Sequence, residues 1–274
     1  MPEPTLAQLT AASLSRIRER TPLIHNITNF VVMNETANLL LAWGASPVMA
    51  HAIDEVREMV GYAGALVLNI GTLDEAWIKA MLAAGEEANL RRVPVVLDPV
   101  GAGATRLRTA ATEQIRSAVR VAVVRGNAAE LATIAGTEAE IRGVDSVSAG
   151  DPVSAARLAA SRFGGVAVVS GAVDYISDGT RLVEIRNGHP LMGRITGSGC
   201  MATATVGAFL AVEPDPFLAA AEAMIAFGIA GEIAAERSAG PGTFRAQLMD
   251  AVAALDEAAI LARARAAILE AQPA

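Results

Sequence analysis

Four short stretches of this chain carry residue types and spacings that could do chemistry. The first is Gly197-Ser198-Gly199-Cys200, followed by Met201 to Val212, a small and apolar run that predicts a buried helix. The first N–H groups of a helix have no internal partner, and its dipole is positive there. Glycines let that backbone approach a ligand closely, so the loop makes an anion site suited to phosphate. Cys200, the only cysteine, stands at its mouth. A plain tight turn with one small buried hydrophobe has the same pattern, and the loop alone does not choose between them. The second stretch is Asn127-Ala128-Ala129-Glu130. Its amide and carboxylate share a helix face and could hold Mg²⁺ or its waters beside phosphates. The same spacing is a helix N-cap with its capping-box partner, which on spacing alone is the better reading. The third is Asp98 before Pro99, and the fourth pairs Arg125 with Ser170, each at the end of an apolar run.

Other chemistries are excluded by residue counts. Lys79 is the sole lysine and lies in an amphipathic helical stretch, which removes a P-loop and makes a Schiff base implausible. The three histidines, His25, His51 and His189, have no zinc spacing, and there is no Gly-x-Ser-x-Gly elbow. A metal here would be a hard cation on oxygen ligands, hence Mg²⁺.

The elements that must position these groups follow from periodicity. Helices are expected at about 5–19, 30–42, 74–89, 107–118, from about 127, and at 151–163, with an acidic helix start at Asp54-Glu55. Strands are expected in 22–29, which begins as a strand and ends in polar residues, and at 46–50, 65–71, 93–101, 121–127 and 165–171, several of them continuous apolar runs of the kind buried on both faces. Residues 173–185 read as a hairpin around Asp178-Gly179, and 136–150 as a polar loop. After the glycine loop the chain reads as helices at 200–212, 215–237 and 245–269. Repeated strand–helix alternation predicts a three-layer α/β/α fold with a mostly parallel central sheet, as one domain over 1–274. In such a sheet ligands bind at the carboxyl ends of the strands. Asn26, Met49, Asn69 with Gly71, Asp98, Arg125 with Asn127, and Ser170 with Gly171 all stand at those ends.

The chain has 274 residues, 53% hydrophobic and 19% charged, enough for one large core. A net charge of −7 argues against nucleic acid or an anionic membrane as partner. No run of about 18 apolar residues lacks a charged or polar break. Without a signal-like start, and with one cysteine, a cytoplasmic protein is expected.

Taken together, Pro22-Leu23-Ile24-His25-Asn26-Ile27-Thr28-Asn29, Gly44-Ala45-Ser46-Pro47-Val48-Met49, Leu97-Asp98-Pro99-Val100-Gly101-Ala102-Gly103, Arg125-Gly126-Asn127-Ala128-Ala129-Glu130 and Thr196-Gly197-Ser198-Gly199-Cys200-Met201 resemble hydroxyethylthiazole kinase, a thiamine-salvage family of the ribokinase-like fold. Cys200 is the most specific match, since ribokinase-like relatives usually carry Asp there. The resemblance covers nearly the whole chain. It implies that Met49 and Gly197 contact a thiazole alcohol, with Asn26 near them, and that Arg125 and Ser170 contact ATP. Many relatives have Thr where this chain has Ser170. It implies that Asn127, Glu130 and Asp98 belong to a network with Mg²⁺ and phosphates, and that the family's homotrimer places the thiazole site at the subunit boundary.

In that reading the hydroxyethyl oxygen attacks the γ-phosphorus of ATP in line. The amides of Gly197, Ser198, Gly199 and Cys200 hold the transferring group, and Arg125 offsets its charge. The Cys200 thiol, with its usual pKa near ~8.5, is expected to be lowered at a helix N-terminus. Phosphoryl transfer depends more on positioning than on proton removal, so Cys200 is expected to be a weak base or a substrate contact. Three alternatives stay open: another small-alcohol kinase of the same fold, an ADP-dependent hydrate dehydratase, and a non-enzymatic nucleotide-binding regulator. The first two would be expected to carry Asp at position 200.

Overall fold

The apolar runs pair into one nine-stranded sheet ordered β2-β1-β3-β4-β5-β6-β7-β8-β9 in the computed structural model, which describes residues 3–136 and 151–269. The strands are β1 Leu23–Ile27, β2 Ser46–Val48, β3 Ala65–Asn69, β4 Val95–Asp98, β5 Val123–Asn127, β6 Val166–Ser170, β7 Asp174–Ser177, β8 Leu182–Ile185 and β9 Ala266–Leu269. Strands β1 to β6 run parallel, and β7, β8 and β9 add antiparallel to their edge. Strand β3 is buried along its whole length, as its unbroken apolar pattern requires.

Eleven α-helices cover the sheet among the described residues. They are α1 Leu6–Arg20, α2 Met33–Trp43, α3 Val56–Val60, α4 Glu75–Arg91, α5 Arg106–Ala118, α6 Ala128–Ala135, α7 Pro152–Phe163, α8 Ser198–Leu210, α9 Pro216–Glu236, α10 Pro241–Ala254 and α11 Glu257–Arg263. Alternate strand residues feed two cores, which makes the fold three-layered. Val67, Val96 and Val123 pack with α1, α2, α8, α9 and α10, while Leu66, Leu97 and Val124 pack with α3 to α7. Side-chain caps set several helix starts: Thr5, Asp74, Thr105, Asp151 and Asp215 each accept from the first-turn backbone. Helix α9 is long and apolar enough to cross a membrane, but 83% of its most apolar window is buried inside this fold.

Two expectations need correction. The span 245–269 is not one helix: α10 ends at Ala254, and Asp256 caps the short α11 by accepting from Ala259 N. Residues Ala266–Leu269 are then strand β9, antiparallel to β8. The alanine-rich sequence favours helix locally, but unpaired backbone at the β8 edge recruits it as a strand. Strand β2 ends at Val48, so Met49 and Ala50 belong to the loop beyond it. The hairpin is present: Asp178 Oδ1 accepts from Thr180 N and Arg181 N, and Gly179 takes φ +94° in the turn. Residues 137–150 of the expected polar loop lie outside the described residues.

Candidate active site

Sheet register brings the polar strand ends together. Asn69 stands beside Asp98 across β3 and β4, and Asn127 beside Ser170 across β5 and β6. From the first pair a chain of hydrogen bonds runs to the glycine loop. Asn69 Nδ2 donates to Asp98 Oδ2 at 2.9 Å, and Thr203 Oγ1, on α8, donates to the same oxygen at 2.7 Å. Asn29 Nδ2 donates to Asn69 Oδ1 at 2.8 Å and to Cys200 Sγ at 3.4 Å. Asp98 is 1% exposed, and burial pushes its carboxyl up to about 6 against the pull of Arg125 and Thr203, with Glu130 pushing the same way as burial.

Cys200 departs from the sequence expectation. Its thiol is pushed up to about 11, not lowered, by burial and then by the charge of Asp98. The Asn69 and Asn29 amides and Arg125 only partly counter this. A helix N-terminus favours the thiolate, but desolvation and a buried carboxylate outweigh it here. Cys200 is therefore a neutral thiol at physiological pH.

The glycine loop is fixed from two sides. Gly197 has φ +80°, and a Cβ there would fall 2.3 Å from Val32 Cγ1. At Gly199 a Cβ would fall 2.6 Å from Arg125 Nη1, so this glycine lets the guanidinium lie against the start of α8. Arg125 Nη2 donates to Ser170 Oγ at 2.6 Å, while its Nε is buried without a partner among the described residues. The first hydrogen bond of α8 runs from Met201 N to Gly197 O, which leaves the amides of Ser198, Gly199 and Cys200 without helical acceptors. A cation and three amides without partners among the described residues thus stand together at the start of α8, an arrangement that stabilises a multiply charged anion.

Asn127 and Glu130 form the capping box that their spacing also allowed. Asn127 Oδ1 accepts from Glu130 N at 3.0 Å, and Glu130 Oε2 accepts from Asn127 N at 2.8 Å. Glu130 Oε1 also accepts from Gly101 N at 2.8 Å, which ties α6 to the loop after β4. Arg108 clamps the same region by donating to Ile70 O, Val100 O and Gly71 O. Among the described residues no group of three or more His, Cys, Asp or Glu side chains could cage a metal. The donors nevertheless suit a hydrated Mg²⁺ shared with phosphates: all are hard oxygens, and Asp98 Oδ1 accepts nothing among the described residues.

A cavity of about 490 Å³ opens beside the loop, with Arg125, Ser170, Ser198 and Gly199 at its polar part and Met224 and Phe227 of α9 in its wall. Of the predicted site residues, the structure gathers those four around it. Asn26 does not line this cavity: it is fully buried, with Nδ2 donating to Ile24 O and Oδ1 unpartnered among the described residues. Met49 lies in the loop after β2, which His25 holds through a 2.7 Å contact between its Nε2 and Ala50 O. Two loops of this end are pinned by Trp77: its ring lies 4.8 Å from Phe30 and 4.2 Å from His51, centroid to centroid, and its Nε1 donates to Thr28 O.

Sequence reasoning had no role for Asn29, Thr203 or Asp174. Thr203 is legible in retrospect as the residue one helical turn beyond Cys200, and Asn29 as the last polar residue after β1. Asp174, at the start of a strand, gave no signal.

The Hydroxyethylthiazole kinase family model matches residues 14–258. The chain is 52% identical over 246 residues to a hydroxyethylthiazole kinase of Desulfotalea psychrophila, covering 89% of this chain and 90% of that protein. It is 55% identical over 245 residues to one of Rubrobacter xylanophilus, covering 89% and 91%. Among solved structures it is similar to a hydroxyethylthiazole kinase protein from Pyrococcus horikoshii, with TM-score 0.88 and 46% identity over 95% of this chain and 99% of that one. An ADP complex of Bacillus subtilis pyridoxal kinase shares the fold alone, with TM-score 0.56 and 16% identity over 76% of this chain and 90% of that one.

Proposed function

This chain belongs to the hydroxyethylthiazole kinase family and phosphorylates the hydroxyethyl group of 4-methyl-5-(2-hydroxyethyl)thiazole with ATP, a thiamine-salvage step; from that premise we propose which of its residues carry the transfer. The observation that carries the assignment is the Arg125 guanidinium lying against Gly199, beside the open amides of Ser198, Gly199 and Cys200.

The nucleotide occupies the cavity with its phosphates at Arg125 and Ser170 and its base against Met224 and Phe227. The amides hold the γ-phosphoryl group, and the guanidinium offsets charge that develops on its oxygens. Cys200, with a neutral thiol, contacts the alcohol and does not deprotonate it; the loose transition state makes early proton removal unnecessary. Asn29 and Asn69 fix the thiol's direction. Asp98, Asn127 and Glu130 would hold a hydrated Mg²⁺, which supplies charge neutralisation on the phosphates when bound. The thiazole lies on the side of Met49 and Gly197, under the loops that Trp77 pins.

We further propose one kinase domain over 1–274, a cytoplasmic location, and a homotrimer with the thiazole site at the subunit boundary. Phe30, Val31 and Ile53 are more than half exposed and sit in the loops on the thiazole side, which supports a covered face there. Light scattering tests the last point: three chain masses are expected, and a single chain mass would refute it.

The decisive assay incubates purified protein with Mg-ATP and the thiazole alcohol and detects the phosphate ester by mass spectrometry, with a pyrimidine alcohol and pyridoxal in parallel. Ester from the thiazole alone is expected. ATP binding without any ester would favour the regulator.

A further inference from the structure

The nucleotide cavity contains a buried acid with no task in the transfer. Asp174 begins β7, lines the cavity and is 7% exposed. Its Oδ1 accepts from Gly171 N at 3.0 Å, and its Oδ2 has no hydrogen bond among the described residues. Burial pushes the carboxyl up to about 6, with the Gly171 amide and Arg125 pulling it back, so it is largely ionised above neutral pH.

An ionised carboxylate can only accept hydrogen bonds, and the free Asp174 oxygen is not among the buried unpartnered atoms, so it is reached from the cavity that Asp174 lines. The free oxygen therefore offers an acceptor to a ligand with donors in that cavity. Phosphates have none at neutral pH and would be repelled, so Asp174 is not a phosphate contact. It is nonetheless close enough to Arg125 to feel its charge, which puts it near the polar part of the cavity. The apolar wall suited to a base belongs to Met224 and Phe227, on a different element. Between its phosphates and its base, a nucleotide offers sugar hydroxyls.

We propose that Asp174 accepts hydrogen bonds from the ribose hydroxyls of the bound nucleotide and thereby selects ribonucleotides over deoxyribonucleotides. This rests on the nucleotide lying in the cavity. Acceptance by a carboxylate near Ser170 resembles the way an acidic residue holds a ribose in dinucleotide-binding folds, on an unrelated loop.

The test compares kcat/KM at pH 8 for ATP, 2′-deoxy-ATP, 3′-deoxy-ATP and the purine triphosphate lacking the 6-amino group. Wild-type protein should lose about tenfold or more with at least one deoxynucleotide, as expected for one lost hydrogen bond to a charged group. Asp174→Asn, which turns a donor toward the cavity, should raise KM for ATP about tenfold and leave KM for that deoxynucleotide within about twofold, abolishing the preference. Equal kcat/KM for ATP and both deoxynucleotides in wild type overturns the proposal, and needs no variant to fold. A preference retained by Asp174→Asn, or a loss confined to the nucleotide without the amino group, also overturns it. Ala172→Trp, which narrows the cavity, separates the two readings. If it leaves KM for ATP unchanged, the cavity reading itself fails. If it raises KM while the deoxynucleotides match ATP, only the ribose assignment fails.

Discussion

Asp98 and Glu222 are both acids buried almost completely, and burial pushes both upward, to about 6 and about 7. Their surroundings differ in where the hydrogen bonds lead. From Asp98 they pass through Asn69 to Asn29 and end on Cys200, beside the open amides of α8. From Glu222 they return into the fold: Ser13 Oγ of α1 donates to Glu222 Oε2, and Arg16 donates to Ser13 Oγ at 2.8 Å and to Glu213 at 2.9 Å. The second network joins α1 to α9 and stops inside the fold, on Glu222 Oε1 and Arg16 Nε, which are buried without a partner among the described residues; the first ends at the start of α8, whose Ser198 and Gly199 line the cavity. Buried polarity alone therefore does not mark a site. A chain of hydrogen bonds that reaches a loop lining a cavity does.

The sharpest way to break this contrast is at its open end. Arg125→Met should lower kcat/KM by about 10³-fold with little change in Tm, the scale of a charge-stabilising arginine in phosphoryl transfer. A loss under tenfold in a coupled assay would remove the arginine from the transfer. Asp98→Asn should lower kcat by about 10²-fold, whereas Glu222→Gln should leave kcat within about twofold. Comparable kcat losses in both variants would mean that the two acids do not differ in function.

Stability should respond to both acids in the same direction. A carboxyl raised in the folded state contributes stability that is complete below its unfolded pKa and is lost as pH rises through its folded value. For Glu222 that window runs from about 4.5 to about 7, with a change on the order of 3 kcal/mol. Wild-type Tm should fall between pH 5 and pH 8, and Glu222→Gln should flatten that slope. An unchanged slope would mean that Glu222 stays ionised at little cost.

The smaller effects concern contacts. Cys200→Ala should cost less than about tenfold in kcat, because a thiol at about 11 is no base at neutral pH; Cys200→Asp should remain active. Loss of all turnover in the alanine variant, with both substrates still bound, would restore the thiol as base. Trp77→Leu should raise KM for the thiazole several-fold and leave KM for ATP unchanged, since it unpins only the loops after β1 and β2. Equal shifts in both would mean a general loosening.

Most of the architecture was legible because strands such as β3 and β4 are short unbroken apolar runs, and because Asp74, Asp151 and Asp215 mark helix starts. The misread segment, 266–269, failed for a physical reason: its strand state comes from an unpaired neighbour and not from its own residues. In the site, Arg125, Ser170 and the glycine loop follow from strand-end position, since register alone sets them side by side. The direction of the Cys200 shift was not legible, because it depends first on burial that only the packed fold creates and then on a carboxylate 102 positions away in sequence. Asn26 illustrates the converse: a polar residue at a strand end whose side chain folds back onto Ile24 O.

The two rims of the sheet are unequal. At one, β2 has three residues with Pro47 in the middle, which has no N–H to offer a newcomer. At the other, β9 carries Ile268, 64% exposed, and among the described residues no strand lies beyond it. Unwanted association of strands between molecules, at the high concentrations of storage or overexpression, should therefore begin at β9. A charged residue in place of Ile268 would be the least intrusive safeguard against aggregation.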